Sequence, residues 1–264
     1  MKFAVLGSGS AGNSTILECG STRILIDAGL SAKQLCLRLE SLGIDPASLS
    51  GILLTHEHGD HIRGLKHFLR KHPTPIYATA ETAFVVREQG FEATWKTFVA
   101  GQAFAIDHLA VQSFSIQHDA VDPVGFVVDS RGLRFGLVSD AGHVTSGMIH
   151  HLRGLAALFV EANYDDDLLE ADTKRPWSIK QRISSRHGHL SNVQVEALLR
   201  EISHADLLQI VFGHLSSDCN CPEKATARFA NCLAEMGHTA TALHCATQAE
   251  VTPWFEIAEP FRLA

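Results

Sequence analysis

No stretch of this sequence stays apolar for long. The opening run Phe3-Ala4-Val5-Leu6 breaks at once on Gly7. It is too short for the core of a signal peptide, and far short of the roughly 20 residues that cross a bilayer. C-x-x-C pairs are missing too. The six cysteines (Cys19, Cys36, Cys219, Cys221, Cys232 and Cys245) do not read as a disulfide framework in a chain of 264 residues. These absences predict a soluble, cytoplasmic protein with no membrane partner. An excess of positive charge is also lacking: the formal net charge is −7. No whole-molecule field therefore gathers nucleic acid, and such binding would need a local basic patch. Charged residues are only 19% and hydrophobic residues 45%, which excludes disorder and supplies a sizeable core. No linker, low-complexity segment or fixed-period repeat interrupts the chain, so one domain over 1–264 is expected.

What the sequence holds in quantity is histidine, at 16 residues and without a tract, which suggests metal chemistry. Short β-rich runs open the chain, from Phe3 to Leu6, Thr15 to Glu18 and Arg23 to Ile26. Helical spacing follows over Ser31 to Leu42, and helices are expected from Ile62 to Leu69 and Glu81 to Gln89. A second series of strands runs to Val138. The second half continues with a helix over Val144 to Leu152, a strand over Ala157 to Glu161 and a polar loop from Asp165 to Arg186. A helix capped by Ser191, a strand from Leu207 to Phe212, a helix from Pro222 to Met236 and a last strand complete it. Strands and helices recur in both halves, so each half can form a sheet covered by helices. The fold class is then α/β (α+β), a four-layer αββα sandwich.

The strongest signal is H-x-H-x-D-H, at His56, His58, Asp60 and His61, directly after the apolar Ile52-Leu53-Leu54. Imidazole and carboxylate are the donors that borderline divalent metals such as zinc prefer. Four donors within six residues strain around one tetrahedral ion but can serve two adjacent ions. Further along, His118, Asp140 and His214 follow apolar runs. Each has a rival reading. His108 and Asp119 compete with His118, and His244 competes with His214. Asp140 can instead cap the helix near Val144, and Asp27 can be an ordinary turn residue.

In this order the motifs resemble the metallo-β-lactamase superfamily over nearly the whole chain. Ile24-Leu25-Ile26-Asp27-Ala28-Gly29 is similar to its first motif, where a buried Asp props the metal loop. The resemblance implies that His56, His58 and His118 hold one ion, that Asp60, His61 and His214 hold the other, and that Asp140 bridges them. Two divalent ions are implied, zinc foremost, with manganese the other candidate. A bridging carboxylate rather than a cysteine is similar to the glyoxalase and phosphodiesterase branches. Such a bridge holds ions about 3.5–4 Å apart, a separation suited to phosphoryl chemistry. Gly188-His189-Leu190-Ser191 with Glu161 resembles the pair found in ribonuclease Z and its relatives. By that resemblance His189 protonates the leaving oxygen and Glu161 orients it; the segment can also be a plain helix cap. Asp60, Asp140, Glu161 and His189 are the residues expected to carry catalysis.

The acid-free stretch with Lys174, Arg175, Lys180, Arg182, Arg186 and Trp177 is a candidate substrate surface, where cations meet phosphates and bases stack on the ring. The opening Gly7-Ser8-Gly9-Ser10-Ala11-Gly12-Asn13-Ser14 lacks the Lys of a phosphate loop. With His118-Asp119-Ala120-Val121-Asp122-Pro123-Val124-Gly125-Phe126, it is similar to the YycJ/WalJ group, described as 5′-to-3′ DNA exonucleases. Tyr164 and Cys219-Asn220-Cys221 depart from relatives, which more often carry His and an Asn pair there. The expected activity is metal-dependent phosphodiester hydrolysis on a DNA substrate. A small-molecule phosphodiesterase, a glyoxalase-type thioesterase and a non-enzymatic metal-binding protein are the alternatives.

Overall fold

The computed structural model describes residues 1–90 and 92–257. The described chain runs β1 (Lys2–Gly7), β2 (Ser14–Cys19), β3 (Thr22–Ile26), α1 (Ala32–Ser41), β4 (Gly51–Leu53), α2 (Gly59–Ile62) and α3 (Leu65–Leu69). It continues through β5 (Ile76–Thr79), α4 (Ala80–Glu88), β6 (Trp95–Phe98), β7 (Ala103–Ile106), β8 (Leu109–Ser115), β9 (Val124–Ser130) and β10 (Leu133–Val138). Next come α5 (Ser146–Leu152), β11 (Ala157–Glu161), α6 (Asp166–Ala171), α7 (Trp177–Ile183) and α8 (Asn192–Ile202). The last elements are β12 (Gln209–Gly213), α9 (Pro222–Glu235), β13 (Ala242–Cys245) and β14 (Phe255–Glu256). The strands form two mixed sheets, in the orders β14-β1-β2-β3-β4-β5-β6 and β13-β12-β11-β10-β9-β8-β7.

The chain divides into two compact units, one built on Met1–Ser115, Ala120–Phe126 and Ala246–Glu256, the other chiefly on Ile116–Asp119 and Val127–Cys245. In the first unit, β3, β4 and β5 run parallel. Strands buried on both faces read as unbroken apolar runs, and Gly51-Ile52-Leu53 is buried throughout. Its core gathers Leu6, Ile16, Leu25, Leu35, Leu39 and Phe68 among others. Leu35 and Leu39 are one helical turn apart on α1, whose first turn is closed by Ser31 accepting from the Gln34 amide at 3.3 Å.

In the second unit, β10, β11, β12 and β13 are all parallel. α8 buries Val195, Leu198, Leu199 and Ile202, a single face at helical spacing. Its N-terminus is a full capping box: Ser191 accepts from the Gln194 amide and Gln194 accepts from the Ser191 amide. On α9, Phe229 meets Phe212 of β12 edge-to-face, with centroids 5.1 Å apart.

Two expectations need correction. The helix expected over Ile62 to Leu69 is interrupted at Gly64, whose amide donates to Ala28 O at 2.8 Å. A side chain there would sit 2.2 Å from Leu30 O, so the backbone crosses the 28–30 turn where only glycine fits. The polar loop expected from Asp165 to Arg186 contains α6 and α7. Asp165 caps α6 through the Leu168 amide at 3.3 Å. Leu169 and Ile183 then pack against Tyr164 and Cys219 in a small cluster apart from the main cores. Helix α5 is capped by Thr145, not by Asp140.

Candidate metal centre

In open parallel sheets, ligands gather at the carboxyl ends of strands. In the first unit those ends belong to β3 and β4. Asp27, just past β3, accepts from the Thr55 amide at 2.9 Å and the Thr55 hydroxyl at 2.8 Å. Its Oδ2 also lies 2.8 Å from His61 Nδ1. An imidazole facing a carboxylate in this way carries its proton on Nδ1, which turns Nε2 into the donor for a metal. The His56 ring lies 4.1 Å from the His61 ring and 4.6 Å from the His58 ring, centroid to centroid. Three imidazoles packed this closely form a donor set that suits a divalent ion.

Asn13 was quoted in the opening motif without a role, and the structure gives it one. Its side-chain amide donates to Asp60 Oδ2 at 3.2 Å and lies 3.1 Å from His61 Nε2. Its side-chain oxygen accepts from the Gly9 amide at 2.9 Å. Amides of Ser8, Gly9, Ala11, Gly12 and Asn13 are all spent on protein acceptors. The glycine-rich opening is therefore no phosphate cradle; it braces the ligand turn. Gly29 lets that turn approach, because an added Cβ would stand 1.5 Å from the Asp60 carbonyl oxygen. Gly29→Ala is expected to cost well over about 1–3 kcal/mol and to lose bound metal. Thermal unfolding and metal analysis of the purified variant check this; wild-type values in both would refute the close-approach argument.

In the second unit the ends of β10, β11 and β12 carry Asp140, Glu161 and His214. Donor atoms of Asp140, Glu161, His189 and His214 all lie within 4.8 Å of one another. Glu161 is fully buried. Its Oε1 accepts from the Ala141 and Leu190 amides, both at 2.8 Å. Its Oε2 lies 3.1 Å from His189 Nδ1 and 3.2 Å from His214 Nδ1. Asp140 Oδ1 stands 2.6 Å from His214 Nδ1 and 3.2 Å from His189 Nδ1. His118 Nδ1 donates to Gly188 O at 3.0 Å, which leaves its Nε2 as the metal donor. Two rivals lie elsewhere: His108 bonds Thr22 at 3.2 Å, and His244 sits within β13, outside this cluster, whereas Asp119 stays beside His118, its Oδ1 3.2 Å from His118 Nε2.

Asp27, Asp140 and His214 share left-handed backbones, with φ of 60°, 54° and 56°. Non-glycine residues seldom adopt this conformation, and it concentrates where function requires it. Asn163, unnoticed in the sequence, helps to fix the last of them: its side-chain amide donates to His214 O at 2.9 Å.

The electrostatics ask for positive charge. Burial alone would lower the pKa of His189, but the Glu161 and Asp140 carboxylates outweigh it and hold it well above the ordinary value. His214 is likewise opposed by burial and raised by Asp140 and Glu161, to about 9. Glu161 is penalised by burial, yet the two imidazoles hold it below the usual carboxylate range. Two buried carboxylates thus draw cations toward themselves, a demand that a divalent ion meets in place of protons. The donor set fits such an ion.

The basic stretch is less available than its sequence suggests. Lys174 and Arg175 pair with Asp218, and Arg175 also pairs with Asp172 at 2.9 Å. Lys180 Nζ donates to Glu170 O at 2.8 Å. Arg182 donates to Asp119 at 2.8 Å through Nε, and Arg186 lies 3.2 Å from His143 Nε2. Asn220, from the segment that departs from relatives, pairs with Asn192 through both amides, at 3.0 and 2.9 Å.

Sets of imidazoles and carboxylates at the ends of parallel strands define a metal-binding α/β protein. The chain belongs to the β-lactamase superfamily, whose domain model matches residues 22–212. It is 32% identical over 240 residues to the exodeoxyribonuclease YycJ of Bacillus anthracis, covering 90% of each chain. It is 34% identical over 240 residues to the exodeoxyribonuclease WalJ of Streptococcus pneumoniae, covering 89% of this chain and 88% of that one. Among solved structures, the metallo-β-lactamase fold protein YhfI of Bacillus subtilis matches with a TM-score of 0.73 at 15% identity, covering 95% of this chain and 98% of that one. The family, the αββα fold and the likeness to the YycJ/WalJ group read from the sequence are borne out.

Proposed function

We propose that the protein is a dinuclear metal-dependent phosphodiesterase that degrades DNA from the 5′ end. The observation that carries this is the Asp140–Glu161–His189–His214 cluster, whose donor atoms lie within 4.8 Å of one another. His56, His58, Asp60, His61, His118, Asp140 and His214 would hold the two ions. When bound, the metals supply Lewis acidity toward the phosphate and an activated water. Zinc suits the imidazole-rich donors best, with manganese the alternative.

The remaining chemistry belongs to side chains. Glu161 fixes His189 through Nδ1, which directs Nε2 outward as a proton donor to the departing 3′ oxygen. Asp27, through Thr55 and His61, keeps the ligand turn in register. Lys174, Arg175, Lys180, Arg182 and Arg186 border the substrate path as a mostly ion-paired surface, so their pull on phosphates is weak and screened. No helix among the described residues is long and apolar enough to cross a membrane. The six free cysteines fit a reducing, cytoplasmic setting.

Two measurements test this reading. Metal analysis at saturation is expected to give two ions per chain, with fewer for His58→Ala and Asp140→Ala; a steady single ion in the wild type would count against the bridged pair. Binding to DNA is expected to weaken as salt rises, with a shallow slope because Lys174, Arg175 and Arg182 are already ion-paired. A small-molecule esterase would bind a neutral thioester with almost no salt dependence, and that outcome would favour the thioesterase alternative.

A further inference from the structure

We propose that the cleft beside Trp177 is a nucleobase-binding subsite, which rests on the reading above that the chain degrades DNA. The cleft has a volume of about 290 Å³ and is lined by Tyr164, Leu169, Trp177, Asp166, Glu170 and Lys180 among others. That is the small end of ligand pockets, and it suits one base rather than a folded partner. Trp177 is 69% exposed, more than any other large apolar side chain among the described residues. A lone exposed aromatic is ordinary. This one differs because it stands against a cleft with a rigid apolar back: Tyr164 and Leu169 are packed with Cys219 and Ile183.

The polar side of the cleft selects for a base over a phosphate. Asp166 and Glu170 bring two carboxylates to its lining against the single ammonium of Lys180, which already donates to Glu170 O at 2.8 Å. An anion gains little there. A base offers a flat face to the indole and amino or imino donors to the carboxylates, which is the pairing that single-strand binders use on aromatic platforms.

The cleft is tied to the proton donor. Helix α7 begins at Trp177 and ends at Ile183, whose carbonyl accepts from the His189 amide at 2.9 Å. Arg182, one residue earlier, is anchored on Asp119, next to His118. Six residues of helix span about 9 Å, so Trp177 and the segment that carries His189 belong to one short stretch of structure, and the base held by Trp177 is expected within the first few nucleotides.

Metal-loaded protein is assayed on single-stranded oligonucleotides that are intact or carry one abasic site, walked over the first six positions. Trp177→Ala is expected to raise KM on intact DNA by about 10-fold, the scale of one lost stacking contact. Trp177→Phe should recover most of it. In the wild type, an abasic site at one of these positions should raise KM equally, and Trp177→Ala should lose nothing more on that substrate. Additive losses, or no positional effect of the abasic site, overturn the subsite. Wild-type protein that leaves every oligonucleotide intact overturns the nuclease reading itself, and the subsite with it.

Discussion

His189→Ala is expected to slow hydrolysis of DNA by about 10²–10⁴-fold while leaving the metal content unchanged. The seven ligands assigned to the two ions do not include His189. Its Nδ1 is engaged by Glu161 and Asp140, and its side chain keeps 23% exposure, which leaves the far edge of the ring toward substrate. An alkoxide leaves badly, so a proton placed on it should count. A nitrophenolate is stable as an anion, and on bis(p-nitrophenyl) phosphate the same substitution should cost much less. Glu161→Gln should give a weaker version of this contrast, since an amide still holds the ring but carries no charge. Loss of metal from His189→Ala would make the histidine a ligand and reopen the assignment of His214. Equal losses on both substrates would make it a phosphate-binding group.

Asp140→Ala is expected to have the larger effect, reducing phosphodiester hydrolysis to background with loss of at least one ion. Asp140 follows β10 in a left-handed backbone and is 1% exposed. Its Oδ1 is close to both His214 and His189. Removing this carboxylate would take away an assigned ligand and leave Glu161 as the one carboxylate of the cluster to offset the charge of a bound cation. Asp140→Asn keeps the volume and one oxygen but not the charge, and should retain some metal with most activity lost. Full activity and full metal content in Asp140→Ala would remove Asp140 from the site.

Residues whose meaning lies in a short spacing were readable from the sequence. His56, His58, Asp60 and His61 form a motif within six positions behind a buried strand, and likeness to the family's later motifs marked His118, Asp140 and His214. The Ser191 cap was legible for the same reason, since its partner Gln194 is three residues away. What escaped depends on segments far apart in sequence. Asn13 reaches Asp60 and His61 across 47 and 48 positions, and Asn163 reaches His214 across 51. The left-handed turns at Asp27, Asp140 and His214 have no local signature, because a strand end under load from its neighbours imposes them. Helix α7 was read as loop because it buries no residue of its own, so no apolar period marks it. The basic stretch misled in the opposite way: a linear run of cations could not reveal that Asp119, Asp172 and Asp218 fold back onto it.

The central claim is that these clusters hold metals which hydrolyse DNA phosphodiesters from the 5′ end. It is tested most directly by digesting 5′-labelled and 3′-labelled single strands with metal-reconstituted protein, beside a chelated control. Immediate release of the 5′ label as short products, gradual shortening of the 3′-labelled strand, and no reaction after chelation are expected. Intact strands alongside rapid turnover of a thioester or a β-lactam by the same preparation would contradict it.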